Sequence, residues 1–199
     1  MQQESGRRSN KERTQATRAA LLGAARQLFI EKGYADTGTP EIVAAANVTR
    51  GALYHHFADK QALFRAVVEN EAALVADEID RAAPDDLPAG EALIKGGDAY
   101  LQAMALPGRT RLLLIDGPAV LGRAGMDEID DRHATRSLRA GIGFAVKSGA
   151  LPRNLPVEAT TLLLSAAFDR AALAIETGGD AADYRAVLAA LIDGLANRK

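Results

Sequence analysis

The sequence predicts an all-α fold of about nine helices, with a small helix-turn-helix head followed by a larger all-helical body. Three observations carry this prediction. Apolar residues recur with the 3.6-residue period of an amphipathic helix along most of the 199 residues. Residues 39–63 form two short helical patterns joined by a tight-turn signal. Hydrophobic residues make up 48% of the chain, which is enough to bury a sizeable core.

The composition also limits where the protein works. Cysteine is absent, which excludes disulfides and thiolate metal sites and is consistent with a reducing cytoplasm. The N-terminal residues contain no apolar segment of the kind that a signal peptide requires. No apolar run approaches the roughly 20 residues that a membrane helix needs. We therefore expect a cytoplasmic protein with no membrane partner.

Charge is distributed unevenly along the chain, although its net value is only −2. Residues 1–60 carry nine Lys and Arg against six Asp and Glu, whereas the remaining residues carry fifteen against twenty. This asymmetry directs the N-terminal part of the chain toward a polyanion. The excess is weak evidence by itself, and it matters because it coincides with the two-helix pattern.

The N-terminal segment precedes that pattern. Residues 1–13 are predicted to form a flexible basic arm, which is either a solvated tail or a segment that adds phosphate or minor-groove contacts. Helix 1 is predicted over residues 14–32, where an apolar stripe runs to a helix-stopping Gly33. This helix has no contact residues of its own, and we expect it to support the two helices that follow.

The two short helices have recognisable sequence signals at their ends. Thr39 is a good N-cap, and Pro40 occupies the first helical position, where its missing N–H costs nothing. Asn47 tolerates the left-handed conformation that ends a helix, and Thr49 caps a second helix starting at the next residue. Together these signals predict a helix-turn-helix.

The outward face of the second helix indicates its chemistry. Leu53 and Phe57 are four residues apart and face inward. The remaining helix begins with a cation, a glycine and an alanine, so its first residues can meet base edges in the major groove. Hydroxyl, imidazole and ammonium groups near it can bind phosphates, which fix orientation. The predicted DNA-binding set comprises Arg50, Gly51 and Ala52 at base edges, Thr39, Tyr54, His55, His56 and Lys60 at phosphates, and the capping Thr49. An ordinary surface helical hairpin is the alternative.

Residues 39–63 read TPEIVAAANVTRGALYHHFADKQAL, and this segment strongly resembles the DNA-binding signature of the tetracycline-repressor (TetR) family. The resemblance covers roughly residues 14–68, where caps, core positions and contact positions agree in register. Asn47 departs from the Gly that family members often carry. The resemblance implies a dimeric all-helical repressor that binds an operator in double-stranded DNA and is released by a small molecule. It does not identify that effector, because the rest of the chain matches only in helical layout.

The body begins with a long fourth helix, predicted over residues 60–81 and capped by Asp59. At about 1.5 Å per residue it reaches roughly 30 Å, enough to link the head to the body. A polar break follows at residues 82–90. Further helices are predicted over residues 91–106, 108–121, 127–148, 157–177 and 183–197. Pro118 should kink or break the second of these.

An effector site is predicted in the body, with the fourth helix as one wall. Such a site needs a concave apolar pocket with a few polar groups. Asp116 lies beside Pro118 in the most apolar part of the chain, and it is either a cap or turn residue or the polar anchor of the ligand. The candidate ligand-binding residues are Tyr100, Met104, Asp116, Phe144 and Phe168. Residues 126–133 lack the pattern of a calcium loop, so we predict neither a metal site nor a cofactor.

The last two helices are predicted to form a dimer interface. The helix over residues 157–177 is apolar nearly all round, and the last helix carries a long apolar stripe. No later element can cover them, whereas a second copy of the chain can do so through a two-fold four-helix contact. Packing within one subunit is the alternative. The candidate dimerisation residues are Leu164, Phe168, Tyr184, Val187, Leu188, Leu191, Ile192 and Leu195.

These observations favour a ligand-responsive repressor with a DNA-binding domain at residues 14–60 and a ligand-binding and dimerisation domain at residues 61–199. Two rival functions remain open. A non-specific architectural DNA-binding protein fits the head, but the overall acidity argues against it. A small all-helical enzyme ranks last, because the sequence contains no nucleophile–base pair, phosphate loop or metal cluster.

Overall fold

The computed structural model describes residues 10–84 and 86–196, and within them it contains helices and no strands. The α-helices are α1 (Asn10–Asp36), α2 (Thr39–Ala45), α3 (Arg50–His56), α4 (Lys60–Ala82), α5 (Ala89–Met104), α6 (Gly117–Arg132), α7 (Ala134–Ser148), α8 (Val157–Glu176) and α9 (Ala181–Ala196). A π-helical segment, Arg111–Asp116, lies between α5 and α6. The predicted all-α fold is confirmed. None of the described helices is both long and apolar enough to cross a membrane.

The start of α1 differs from the prediction. Of the predicted basic arm, residues 1–9 lie outside the described part of the chain, while residues 10–13 are helical rather than part of an arm. The predicted stop is confirmed, because Gly33 leaves helical geometry with a φ of 83°. Thr37 then donates from its hydroxyl to the Gly33 carbonyl at 2.7 Å and the Leu28 carbonyl at 3.2 Å. This side chain satisfies carbonyls that the helix end leaves without partners.

The chain divides into two compact units between Val68 and Glu69, within α4. The core of the first unit is built from the apolar faces of α1, α2 and α3 and the start of α4. Its centre is aromatic: the rings of Phe29 and Phe64 lie 5.1 Å apart edge to face, and those of Tyr34 and Phe64 lie 5.0 Å apart. Such edge-to-face pairs add to the stabilisation from burial. The unit therefore holds its two short helices on a packed support.

In the second unit, α5 packs against α7, α8 and α9. Its backbone is approached closely at Gly97, where a Cβ would lie only 2.5 Å from the Phe168 ring of α8. The ring of Phe168 also meets that of Tyr100 at 5.8 Å. Glycine at this position lets an aromatic side chain rest directly on the helix.

The predicted irregularity at Pro118 is present, because the π-helical segment Arg111–Asp116 interrupts the α-helical pattern just before it and the Gly117 N–H binds the Leu112 carbonyl. The predicted helix over residues 108–121 is wrong in its bounds, because α6 begins at Gly117 and continues to Arg132. Within α6 the backbone leaves helical geometry at Gly122, which has a φ of 74°. The predicted helix over residues 127–148 is also wrong as one element, because the non-helical backbone at His133 separates α6 from α7.

A buried ion pair ties α4 to the turn after α5. The Arg109 side chain is 3% exposed and donates to Glu71 at 3.0 Å and to Glu78 at 3.1 Å. It also donates to the Ala103 carbonyl at 2.8 Å. A buried charge without partners is costly, and these three acceptors compensate the buried guanidinium of Arg109.

Candidate DNA interface and effector cavity

The turn between α2 and α3 has the geometry that the sequence predicted, with one shift at its start. Asn47 has a φ of 51°, and Thr49 accepts a hydrogen bond from the Ala52 N–H at 3.1 Å. Both predictions are confirmed. The N-cap of α2, however, is Gly38, and Thr39 is the first helical residue. This one-residue shift means that the Thr39 hydroxyl does not serve as the N-cap that its position in the sequence predicts.

The two faces of α3 separate as predicted. Leu53 and Phe57 are buried in the first unit. On the opposite side Arg50, Gly51 and His55 are exposed, and Tyr54 is 43% exposed. Of the remaining predicted contact residues, Thr49 is exposed, and Thr39, Ala52, His56 and Lys60 are half-buried. The fold therefore leaves the first turn of α3 open to a partner.

Three of the predicted contact residues form one cluster. The Arg50 guanidinium carbon lies 5.5 Å from the centre of the Tyr54 ring. Hydrogen bonds with Thr39 and then with Arg50 lower the pKa of the Tyr54 hydroxyl below its usual value. A lowered pKa means that these neighbours favour negative charge on that oxygen. The cluster joins α2 to the start of α3 and presents a guanidinium and two hydroxyls together.

A further cation comes from α1, which the sequence analysis had left without contact residues. The Arg18 guanidinium lies 5.1 Å from the centre of the Phe57 ring, at the end of α3. Burial lowers the pKa of His56, and the positive charges of His55 and Arg18 lower it further. At neutral pH His56 is therefore favoured as an uncharged N–H donor. The sequence shows an arginine at position 18 of the helix before the motif. Its contact with Phe57 could not be predicted, because the two residues are far apart in sequence.

Lys60 has acceptors within its own unit. Its ammonium donates to the carbonyls of Tyr34 at 2.8 Å and Thr37 at 3.1 Å, and it lies 4.2 Å from the centre of the Tyr34 ring. Lysine has three donors, so two of them bind the end of α1. The side chain of Lys60 therefore connects the start of α4 to the end of α1.

The second unit contains a cavity of about 280 Å³. Residues from α4, α5, α7 and α8 line it, including Ile79, Gly97, Tyr100, Phe144 and Phe168. The fourth helix, which the sequence predicts as one wall of an effector site, lines this cavity through Ile79 and Asp80. Three of the five predicted ligand-binding residues line the cavity: Tyr100 from α5, Phe144 from α7 and Phe168 from α8.

The other two predicted ligand-binding residues lie elsewhere. Met104 is buried to 1% exposure in the core and does not line the cavity. Asp116 does not line it either and accepts a hydrogen bond from Arg111 at 3.2 Å. Placing Asp116 in this cavity was wrong, because the π-helical segment turns its carboxylate toward an arginine in that segment.

The predicted dimerisation residues fall into two groups. Leu164, Phe168, Leu188 and Ile192 are at most 7% exposed and pack inside their own chain. Assigning these four to an interface was wrong, because helices of the same chain already cover them. Val187 and Leu191 are 59% and 50% exposed, and Tyr184 and Leu195 are half-buried. On α8, Leu162 and Leu163 are also exposed.

Comparison with known proteins identifies this arrangement. The model of the bacterial regulatory proteins of the tetR family matches residues 21–67. The model of the tetracyclin repressor-like C-terminal domain matches residues 90–198, more than half of the chain. The chain belongs to the TetR family. This membership confirms the resemblance read from the helix-turn-helix segment.

Relatives of this TetR-family chain include two curated regulators that match its N-terminal part. The HTH-type transcriptional regulator AcrR of Shigella flexneri is 45% identical over 62 residues, or 31% of this chain and 29% of that protein. The HTH-type transcriptional repressor BepR of Brucella suis biovar 1 (strain 1330) is 43% identical over 61 residues, or 31% and 29%. The matched stretch thus spans less than a third of the length of these relatives.

A solved structure matches over nearly the whole length. The crystal structure of a TetR-family transcriptional regulator from Pectobacterium atrosepticum is 31% identical, with a TM-score of 0.72. The match covers 96% of this chain and 99% of that chain. The family assignment confirms the prediction of a DNA-binding transcriptional regulator rather than an enzyme.

Proposed function

We propose that this TetR-family regulator is a cytoplasmic repressor that binds a palindromic operator in double-stranded DNA as a homodimer. A small-molecule effector in the body releases it. In this proposal residues 14–60 bind DNA, and residues 61–199 hold the effector and the dimer contacts. The observation that carries the proposal is the cluster of Thr39, Arg50 and Tyr54 at the exposed start of α3. The related BepR protein is named a repressor, which supports the same direction of control.

The chemistry of that cluster suits a helix entering the major groove. A guanidinium can bind guanine O6 and N7 together, which makes Arg50 the candidate sequence reader. Gly51 and Ala52 allow the backbone of the first turn to approach base edges. The hydroxyls of Thr39 and Tyr54 are suited to phosphate oxygens, which position the helix without reading sequence. His55, His56 and Arg18 extend this phosphate-binding surface along the exposed side of the head.

Dimerisation is supported by the exposed apolar residues of α8 and α9. Leu162 and Leu163 on α8 and Val187 and Leu191 on α9 are each at least half exposed. Apolar residues exposed together on a helix pair mark an association surface. A two-fold contact through them would give a dimer with two equivalent heads, and such a dimer matches an operator with two-fold symmetry.

Release is explained by a shift between two states of the dimer. The cavity is bounded by α4, the helix that also follows the helix-turn-helix in the chain. A ligand that binds the released state ~100-fold better shifts the equilibrium by about 2.7 kcal/mol. That shift is enough for a repressor whose DNA-bound state is only modestly favoured.

Footprinting on the DNA that flanks the gene of this regulator would test the proposal. We expect one protected palindrome, with protection lost when the effector is present. Binding to that palindrome and to single-base variants is then compared for wild type, Arg50→Ala and Arg153→Ala, which removes the same charge from a loop of the body. Arg50→Ala should cost about 1–3 kcal/mol and relax preference at one position, while Arg153→Ala should not. Uniform protection of the DNA without sequence preference would favour a non-specific architectural protein.

A further inference from the structure

We infer that the cavity of the second unit takes an uncharged, mainly apolar molecule. The inference names the chemical class of the effector, and it rests on the proposed function only for the regulatory role of the cavity. Its evidence is the pairing of every charged group that lines the cavity among the described residues. Those groups are Asp80 at the end of α4 and Arg136 at the start of α7.

The two charges neutralise each other. Arg136 donates to the Asp80 carboxylate at 3.0 Å, and Ser137 donates to its other oxygen at 2.6 Å. Both charged side chains are about half exposed, so they also keep much of their contact with water. A charged ligand would have to break this pair or enter without a counter-charge. The charge of the ligand itself would lose water among mainly apolar side chains, which is costly without a free counter-charge.

The hydroxyl of Tyr100 is also engaged, although its ring lines the cavity. It donates to the Asp169 carboxylate at 2.5 Å. The rest of the wall is dominated by apolar side chains such as Ile79, Leu93 and Phe144, and Ser165 adds a hydroxyl. Walls of this kind favour a ligand through the apolar area that they bury.

A cationic ligand is the strongest competing class, because two carboxylates lie behind Tyr100. Neither Asp130 nor Asp169 lines the cavity. Burial raises the pKa of both, and the charge of Asp169 helps to bring that of Asp130 to about 7. The pair therefore carries less negative charge near neutral pH than two free carboxylates would. Because neither carboxylate lines the cavity and Tyr100 does, a cation in the cavity would have no direct contact with Asp130 or Asp169.

The cavity also limits the size of its ligand. A volume of about 280 Å³ is near the lower end of small-molecule sites, which run from roughly 300 to 1,000 Å³. Space on the α5 side depends on Gly96, where a Cβ would lie 3.5 Å from Ile79 and 3.8 Å from Ala83. These are ordinary contact distances, so alanine fits at this position and narrows the cavity without distorting it.

Three fluorescent probes with one dansyl group test the charge class. Dansylamide is neutral, dansylglycine is anionic and dansylcholine is cationic, and all three fluoresce more strongly in apolar surroundings. Each is titrated into the full-length protein without DNA at neutral pH. We expect dansylamide to bind at least about tenfold more tightly than either charged probe. Equal or tighter binding of a charged probe at the same site would overturn the inference.

Matched variants show whether the probe lies in the cavity. Ala92→Trp places an indole in the lining, and Gln102→Trp places the same indole on the exposed face of α5 in a chain that otherwise lacks tryptophan. Only the first should abolish dansylamide binding. Gly96→Ala, which the packing accommodates, should weaken it about threefold or more. The double variant Asp80→Asn, Arg136→Gln should keep dansylamide affinity within about threefold of wild type, and a larger loss would show that the ion pair binds the ligand.

Failure of this inference is distinguishable from failure of the proposed function. If only charged small molecules bind the cavity and release the operator, the regulator stands and the neutral class is wrong. If dansylamide binds with the expected preference but no cavity ligand changes operator affinity, the class is supported and the regulatory role is wrong.

Discussion

At the scale of single residues, Gly51 is a position where the fold tolerates a side chain and the proposed DNA complex does not. It is the second residue of α3 and is exposed. A Cβ built there would meet nothing nearer than the Thr49 hydroxyl at 3.8 Å. The backbone of α3 therefore tolerates a side chain at this position. In the proposed complex, by contrast, a methyl group would come between the first turn of the helix and the bases.

We expect Gly51→Ala to leave the head at least as stable as wild type and to weaken operator binding. Alanine favours helix over glycine by up to about 1 kcal/mol, and less near a helix end. Gly23→Ala on α1, where a Cβ meets no atom within 4 Å, is the matched control. It should be more stable than wild type and keep its operator affinity. Thermal unfolding and operator titration give the two quantities. Undiminished operator affinity for Gly51→Ala would mean that this turn does not approach the bases.

Lys60 should contribute to both stability and phosphate binding. Lys60→Met removes the donor of two backbone carbonyls at the end of α1, and we expect a loss of about 1–2 kcal/mol in unfolding free energy. If the third donor reaches a phosphate, the slope of log affinity against log salt falls by about 1. Lys32→Met, which breaks only an exposed pair with Glu41, is the control for both measurements. An unchanged slope would leave Lys60 as a structural residue.

At the scale of elements, α9 carries two apolar faces, of which one is buried and the other exposed. Leu188 and Ile192 face α5 in the core, whereas Val187 and Leu191 are exposed. Positions three and four apart share one helix face, but adjacent positions do not. Residues 187 and 188 are adjacent, as are 191 and 192, so the apolar stripe is wide enough to serve the core and a second copy of the chain.

A glutamate on the exposed face of α9 should disrupt the dimer, whereas a glutamate on the buried face should destabilise the fold. Leu191→Glu should give a folded monomer with operator binding strongly reduced and unfolding free energy within about 1 kcal/mol of wild type. Leu188→Glu, at 5% exposure, should instead lose about 3–5 kcal/mol because it buries an unpaired charge. Sedimentation and chemical denaturation distinguish the two results. A dimeric Leu191→Glu variant with normal operator binding would place the interface elsewhere.

The carboxylate of Asp130 on α6 should make stability depend on pH. Burial, together with Asp169, Asp127 and Asp131, raises its pKa to about 7, and Arg123 opposes this. A folded-state pKa above the unfolded value gives stability that is present at low pH and lost as pH rises to about 7. Asp130→Asn should therefore be up to about 4 kcal/mol more stable than wild type at pH 8, with the gain shrinking toward pH 4. A gain that does not change with pH would point to altered packing.

At the scale of the whole molecule, the proposed DNA interface and the proposed effector cavity lie in different units of one chain. If the effector weakens operator binding by a given factor, the operator must weaken effector binding by the same factor. For an effector that lowers operator affinity about tenfold, its own dissociation constant should rise about tenfold when the operator is saturating. Calorimetric titration of the effector with and without operator measures this. Equal affinities in the two titrations would mean that the two sites are not coupled.

The helix-turn-helix could be predicted from sequence alone, because its signals are local. Thr49 caps α3, Asn47 accepts a positive φ, and Leu53 and Phe57 lie one helical turn apart; each property needs only neighbours within a few residues. The same reasoning predicted the all-α class, since helical periodicity shows which side chains lie on one face. These features could be predicted because short-range geometry specifies them.

The contacts of the remaining side chains depend on long-range packing and could not be predicted in this way. Arg18 reaches the end of α3 from a distant helix, and Asp116 turns to Arg111 because the π-helical segment changes the direction of its side chain. Leu188 packs inside its own chain, although the stripe of α9 does not distinguish it from Leu191. Periodicity tells which residues are apolar together, but the partner that covers each face is chosen by packing between segments far apart in sequence.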